Sequence, residues 1–157
     1  MKTDFLKRVQ DLRQQLQGSK LDGVLITNPE NRRYLSGFSG SAGALLIGDS
    51  ETYLLTDFRY WEQAAQAAAD FELAKQGSSF WPSVAALITS LKWQRVGFEA
   101  DNLTFRDHQT LAELSSPGLE WQPLTGLVAS QRAVKDEVEV GLIVRAAEIT
   151  DLALAKT

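Results

Sequence analysis

Short runs of strand-forming apolar residues alternate about six times with segments of helical periodicity, and this alternation confines the chain to an α/β layered domain with a mixed sheet. Val24-Leu25-Ile26, inside Leu21 to Thr27, is an unbroken apolar run of the kind that is covered on both faces. Ala44 to Ile47 and Thr52 to Leu55 flank the turn cluster Gly48-Asp49-Ser50 and predict a hairpin. Phe71 to Ala74, Arg95 to Glu99 and Leu119 to Leu124 supply three further strands. Between them, Thr3 caps an amphipathic helix through Phe5, Val9, Leu12 and Leu16, which Gly18 stops. Asn28-Pro29-Glu30 offers a cap and a first-turn proline for a short helix carrying Arg32, Arg33, Tyr34 and Leu35. Asp57 is placed to cap a helix from Phe58 to Ala69, Ser79 or Ser78 one through Leu91, and Thr104 one ending at Leu114. Gly126 to Arg132 reads as a further short helix.

At 157 residues the chain is long enough to bury a full core without disulfide or metal support. The net charge of -4 argues against nucleic-acid binding, which rests on basic patches. With no cysteine, thiol catalysis, zinc ribbons and iron–sulfur centres are excluded. No apolar run is long enough to span a bilayer and the polar start is no signal peptide, so a cytoplasmic, membrane-free protein is expected.

The final segment stands apart. Asp136 to Lys156 carries a helical stripe through Val138, Leu142, Ala146, Ile149 and Ala153, with no Gly or Pro stop before Thr157. Residues 135–157 hold 3 basic and 5 acidic side chains, half of the net charge of the whole chain. Such a stripe reads as the first helix of a second domain, or else as a terminal helix docked on its own core.

Few residues offer chemistry. His108, the one histidine, falls early in a helix on its expected wet face and reads as a surface residue. Gly37-Phe38-Ser39-Gly40-Ser41-Ala42-Gly43 matches neither phosphate-binding glycine pattern, and it precedes a strand where a phosphate cradle needs a helix. It is also no nucleophile elbow, because Ser41 stands where that motif needs Gly. A close-packed loop is the simpler reading, with Phe38 at its tip as an exposed aromatic candidate. Asp57-Phe58-Arg59-Tyr60-Trp61 is the second dense cluster. There Arg59, and after it the Arg32-Arg33 pair, could hold a carboxylate in bidentate geometry, against the alternative of solvated helix surface. Glu99 and Asp101 sit at a strand end without an evident partner, and the four tryptophans read as packing.

Several segments together resemble the N-terminal domain of the creatinase, prolidase and aminopeptidase P family. They are Asn28-Pro29-Glu30-Asn31 followed by Arg33-Tyr34-Leu35-Ser36-Gly37-Phe38, then Thr56-Asp57-Phe58-Arg59-Tyr60, Val96-Gly97-Phe98-Glu99, and Lys135-Asp136-Glu137-Val138-Glu139. The resemblance implies a three-layer ribonuclease H-like sandwich, with about six strands and helices on both faces, over residues 1–133. Residues 134–157 are then a linker and the opening helix of a pita-bread domain. In that domain two Asp, one His and two Glu hold two divalent ions (Mn, Co or Zn), and none of those ligands falls in this chain.

The implied function is that of a non-catalytic N-terminal domain of an Xaa-Pro dipeptidase or aminopeptidase P-like metallopeptidase. It contributes to a homodimer and to the rim of the site for a proline-containing peptide, partnered by its own catalytic domain, and is inactive alone. By the resemblance, the lip of that site is formed by the loop from Tyr34 to Ser41 and the turn from Asp57 to Tyr60. Phe38 would wall the pocket, and Arg59 or Tyr60 would touch a substrate end or the partner chain. An Arg just after the aromatic, used by creatinase-like members for a substrate carboxylate, has no match in Ser39-Gly40, which favours peptidase over creatinase. A metal-less scaffold homologue and a stand-alone α/β ligand-binding module are the alternatives.

Overall fold

The computed structural model describes residues 3–155; the expected helix end at Lys156 and the chain end at Thr157 lie outside them. Six strands form one mixed sheet: β1 (Gly23–Ile26), β2 (Ala44–Gly48), β3 (Thr52–Thr56), β4 (Glu72–Lys75), β5 (Arg95–Glu99) and β6 (Glu120–Leu124), in the order β4-β3-β2-β1-β5-β6. β2 pairs antiparallel with both β1 and β3, whereas β1–β5, β5–β6 and β3–β4 are parallel, so β2 alone runs against the rest.

The register follows from side-chain alternation across a buried sheet. Val24 pairs with Ile47 and Ile26 with Leu45, facing one layer; Leu25 pairs with Leu46 and Phe98, facing the other. On the first face lie α1 (Phe5–Leu16), α2 (Pro29–Ser36), α3 (Trp61–Ala67) and α6 (Leu127–Ala133), whose Val9, Leu12, Leu35, Ala64 and Val128 close that core. On the second lie α4 (Phe80–Ser90) and α5 (Phe105–Leu114), contributing Val84, Ile88 and Leu111. Thus the expected three-layer α/β architecture, with about six strands and helices on both faces, is the one observed.

Local capping chemistry accounts for most helix starts. The Asn28 side chain accepts from Asn31 N with Pro29 in the first turn, and Thr104 accepts from Asp107 N. The first helix is capped by Asp4, which accepts from Lys7 N, and not by Thr3, because a carboxylate one residue nearer reaches the exposed N–H groups. After Asp57 the chain makes a 3₁₀ turn, Phe58–Tyr60, before α3, so the predicted single helix to Ala69 is split and shortened.

The last helix, α7 (Glu137–Leu154), opens with a capping box: Asp136 accepts from Glu139 N while the Glu139 side chain accepts from Asp136 N. None of its residues is buried, and Leu142, Ile143, Ile149 and Leu152 are exposed. No helix among the described residues is long and apolar enough to cross a membrane.

Candidate functional site: the carboxyl edge of the sheet

One edge of the sheet gathers the ends of β1, β3 and β5 with the start of β2, the edge where parallel α/β sheets place their ligand-handling loops. The loop 37–43 and the turn 57–60 both lie there. Gly37 ends α2 in the left-handed conformation, at φ 79°, with its N–H returned to the Arg33 carbonyl.

Phe38 is not an exposed tip. It is fully buried, and its ring meets Tyr60 edge-on at 5.9 Å between centroids. The chain folds back over that ring: a Cβ on Gly40 would stand 2.3 Å from Phe38 Cζ. The glycines let the backbone close over the aromatic, giving the close-packed loop that the sequence suggests.

The Arg32-Arg33 pair splits. Consecutive residues lie about 100° apart around a helix, so Arg33 is exposed while Arg32, on the side of Leu35 and Ser36, is buried. Arg32 donates from Nη1 to the Gly43 carbonyl at 2.6 Å and from Nη2 to the Gly40 carbonyl at 2.5 Å. Burial lowers its pKa, with Glu30 and Glu99 working against that shift. Loop carbonyls aimed inward at a cation are the reverse of an anion-binding nest, which needs N–H groups converging on the ligand.

Arg59 already holds a carboxylate, that of its own turn. Asp57 Oδ1 accepts from Arg59 N and Nε, and Oδ2 accepts from Nη2 at 2.8 Å. The pairing drives Asp57 below and Arg59 above their ordinary values. Ser41 Oγ and Tyr60 Oη share a hydrogen bond of 2.6 Å, and Ser41 holds the Tyr60 phenol below its usual pKa. Phe58, beside them, is 74% exposed. Phe38, Arg59 and Tyr60 therefore come together at one edge.

Tyr34 does not join them. It packs under the Arg8 guanidinium, 3.9 Å from its ring centroid, and its carbonyl accepts from Arg8 Nη1 at 2.9 Å. Arg8 Nη2 reaches Asp136 at 2.6 Å and Glu139 at 3.2 Å. Burial raises the Tyr34 phenol, an effect that Arg8 opposes. Tyr34 thus belongs to the joint where α7 leaves the sandwich.

Glu99 has partners after all. Its Oε2 accepts from Thr27 N at 2.7 Å and Asn28 N at 2.8 Å, and its Oε1 accepts from Asn31 Nδ2 at 2.6 Å. The chain turns opposite ways after β1 and β5, and the crevice between two such strands is where α/β sheets bind nucleotides. Here the protein's own carboxylate fills that position at the start of α2. Asp101 accepts from Gly126 N at 2.8 Å, so it too is structural. His108 is half-buried, its ring 4.8 Å from that of Phe98, so the expected wet face is a packed one. Among the described residues no three His, Cys, Asp or Glu side chains converge as a metal-binding group.

Reading the sequence misses Arg8 altogether, and it singles out Arg32 and Glu99 without finding what they hold. For the two arginines a signal exists: Arg8 shares a face with Leu12, and Arg32 with Leu35 and Ser36, at spacings of three or four. Glu99 offers no such local signal.

Residues 8–134 match the family model for the creatinase/prolidase N-terminal domain. The uncharacterised peptidase YqhT of Bacillus subtilis is 34% identical over 131 residues, 83% of this chain and 37% of that protein. Among solved structures, the Xaa-Pro dipeptidase from Bacillus anthracis aligns with a TM-score of 0.91 at 33% identity, covering 98% of this chain and 42% of that one. The N-terminal domain of the cytoplasmic peptidase PepQ from Mycobacterium tuberculosis aligns at 0.73 and 35% identity, covering 79% of this chain and 97% of the domain. The chain thus spans little more than a third of the length of the curated relative and less than half of the dipeptidase chain.

Proposed function

The chain belongs to the creatinase/prolidase N-terminal domain family, and from that premise we propose that it is the non-catalytic N-terminal domain of an Xaa-Pro dipeptidase or aminopeptidase P-like peptidase, which cleaves the bond before proline. The observation that carries this reading is the joint: Arg8 clamps the start of a helix that is only partly covered in its first turn and exposed beyond it. An apolar face held out in a set direction is suited to packing against a following domain. Residues 1–133 are accordingly the N-terminal domain, and residues 134–157 the link and first helix of the next.

The two divalent ions belong to that catalytic domain. Among the described residues of this chain, no donor set fits a metal centre. When bound, such ions activate water and polarise the scissile carbonyl. This chain's part is to shape the rim of the substrate site, across a homodimer. Tyr60 and Arg59 present the polar edge and Phe38 backs Tyr60 from inside, while Tyr34 steadies the joint. A cytoplasmic location is part of the proposal, supported by the cytoplasmic relative PepQ.

The test is to express the complete reading frame and assay manganese-dependent hydrolysis of Xaa-Pro dipeptides and longer Xaa-Pro peptides, with mass measured by light scattering. Activity in a dimer of the complete protein, with none in residues 1–157 alone, is the expected result. Hydrolysis by residues 1–157, or an inactive complete protein, would overturn it. In the complete enzyme, Tyr60→Phe and Arg59→Ala should raise KM about three- to tenfold with little change in kcat, the pattern of lost binding.

A further inference from the structure

Arg32 is 2% exposed, yet among the described residues it forms no ion pair. A buried cation is unfavourable unless its hydrogen bonds are strong and its geometry good. Its neighbours on the same side of α2, Leu35 and Ser36, are buried as well, so an apolar residue would satisfy that layer of the core. What an apolar residue could not do is serve the loop. The Gly40 and Gly43 carbonyls both point inward, three residues apart, and each accepts from a different nitrogen of the one guanidinium. Between them, the Ala42 carbonyl accepts from Thr56 Oγ1 at 2.6 Å. Inward carbonyls left without donors would destabilise this shape, and the loop would turn them to water. A planar fork holds its two N–H groups at a fixed separation that matches these two acceptors, whereas a lysine ammonium offers its donors from a single atom and cannot reproduce that span.

The consequence falls on Ser41, which lies inside the span that Arg32 closes. Its hydroxyl meets Tyr60 because the backbone on either side is held. The guanidinium also lies 5.5 Å from the Phe38 ring centroid, and Phe38 supports Tyr60 from beneath.

We propose that Arg32 is the positioning residue of the rim: by bridging the Gly40 and Gly43 carbonyls it sets the loop conformation that presents Ser41 to Tyr60. It touches no substrate and acts through the loop. Its bearing on peptide binding rests on the function proposed above, whereas its hold on Ser41 and Tyr60 stands apart from that reading.

The experiment uses the complete protein, isotope-labelled at tyrosine Cζ, as wild type, Arg32→Lys and Arg32→Met, with Tyr60→Phe to assign the Tyr60 signal. In the wild type the Tyr60 phenol titrates below its ordinary value because Ser41 is bonded to it. In both Arg32 variants the Tyr60 midpoint should rise towards that ordinary value, and KM for an Xaa-Pro dipeptide should rise about tenfold with kcat within about twofold. If Arg32→Met does not fold, Arg32→Lys decides, since it keeps the charge and loses the fork. A folded Arg32→Lys protein with wild-type Tyr60 titration and wild-type KM overturns the proposal. If the wild type hydrolyses no Xaa-Pro peptide, the peptidase reading fails, and the Tyr60 titration still decides the role of Arg32.

Discussion

Arg8 Nη2 lies 2.6 Å from the Asp136 carboxylate, an ion pair that ties the first helix to the start of the last across 128 positions of sequence. Arg8 also stacks on Tyr34 and takes its carbonyl, so a single side chain ties α1, the end of α2 and α7 together. The guanidinium is mostly buried and its acidic partners half-exposed, an arrangement that favours direction over raw stability.

Replacing Arg8 with Met should therefore free α7 while leaving the sandwich folded. The expected loss is about 1–2 kcal/mol, modest because Asp136 is partly solvated. Hydrogen exchange should accelerate across residues 134–154 and remain unchanged in β1, β2 and β5. Equal acceleration in the central strands would show that the clamp is part of the core.

Acid should release the same joint. The Glu139 backbone N–H, and after it Arg8, holds the Asp136 carboxyl below its ordinary 3.8. A carboxylate with a depressed folded-state pKa stabilises the fold fully above the unfolded value and loses that contribution as pH falls through the folded one. Fraying at the start of α7 should accordingly begin below about pH 4, seen as faster exchange at Val138 and Glu139. In Asp136→Asn that acid-induced change should disappear; if it persists, another group is responsible.

Glu99→Ala should destabilise the sandwich far more than a surface substitution would. It leaves the Thr27 and Asn28 N–H groups and the Asn31 side-chain amide without their acceptor in a buried crevice. A cost of about 2–4 kcal/mol is expected from orphaned donors of this kind, read from the urea midpoint. Glu99→Gln should cost less, because one oxygen can still accept from the two backbone groups.

Gly40→Ala tests the closure over Phe38. The new methyl would overlap a fully buried ring that has no room to swing away. The loop must move, at a cost of about 1–3 kcal/mol, and Ser41 moves with it. The Tyr60 titration midpoint should rise, as is expected when Arg32 is replaced. An unperturbed midpoint would mean that Ser41 follows Tyr60 independently of the loop backbone.

The strands of the hairpin, the Asn28 and Thr104 caps and the exposed stripe of α7 are legible from residue order, because each depends on chemistry within a turn or two of the chain. Alternation within Val24-Leu25-Ile26 likewise dictates which residue faces which layer once the strand is covered on both sides. The family resemblance carried by Asn28 to Phe38 and Thr56 to Tyr60 was legible in the same way, and the family match confirms it.

The roles of the charged residues were not. Glu99 meets Thr27 across 72 positions, and Arg8 meets Asp136 across 128. Even Arg32, acting over only 8 to 11 positions, depends on a loop whose carbonyls point inward in the folded chain, where Phe38 is buried beneath it. Short-range periodicity and capping act before the layers assemble. A buried charge acquires its partner only when strands from distant parts of the chain come side by side, and that packing made Phe38 a support and Arg32 a brace.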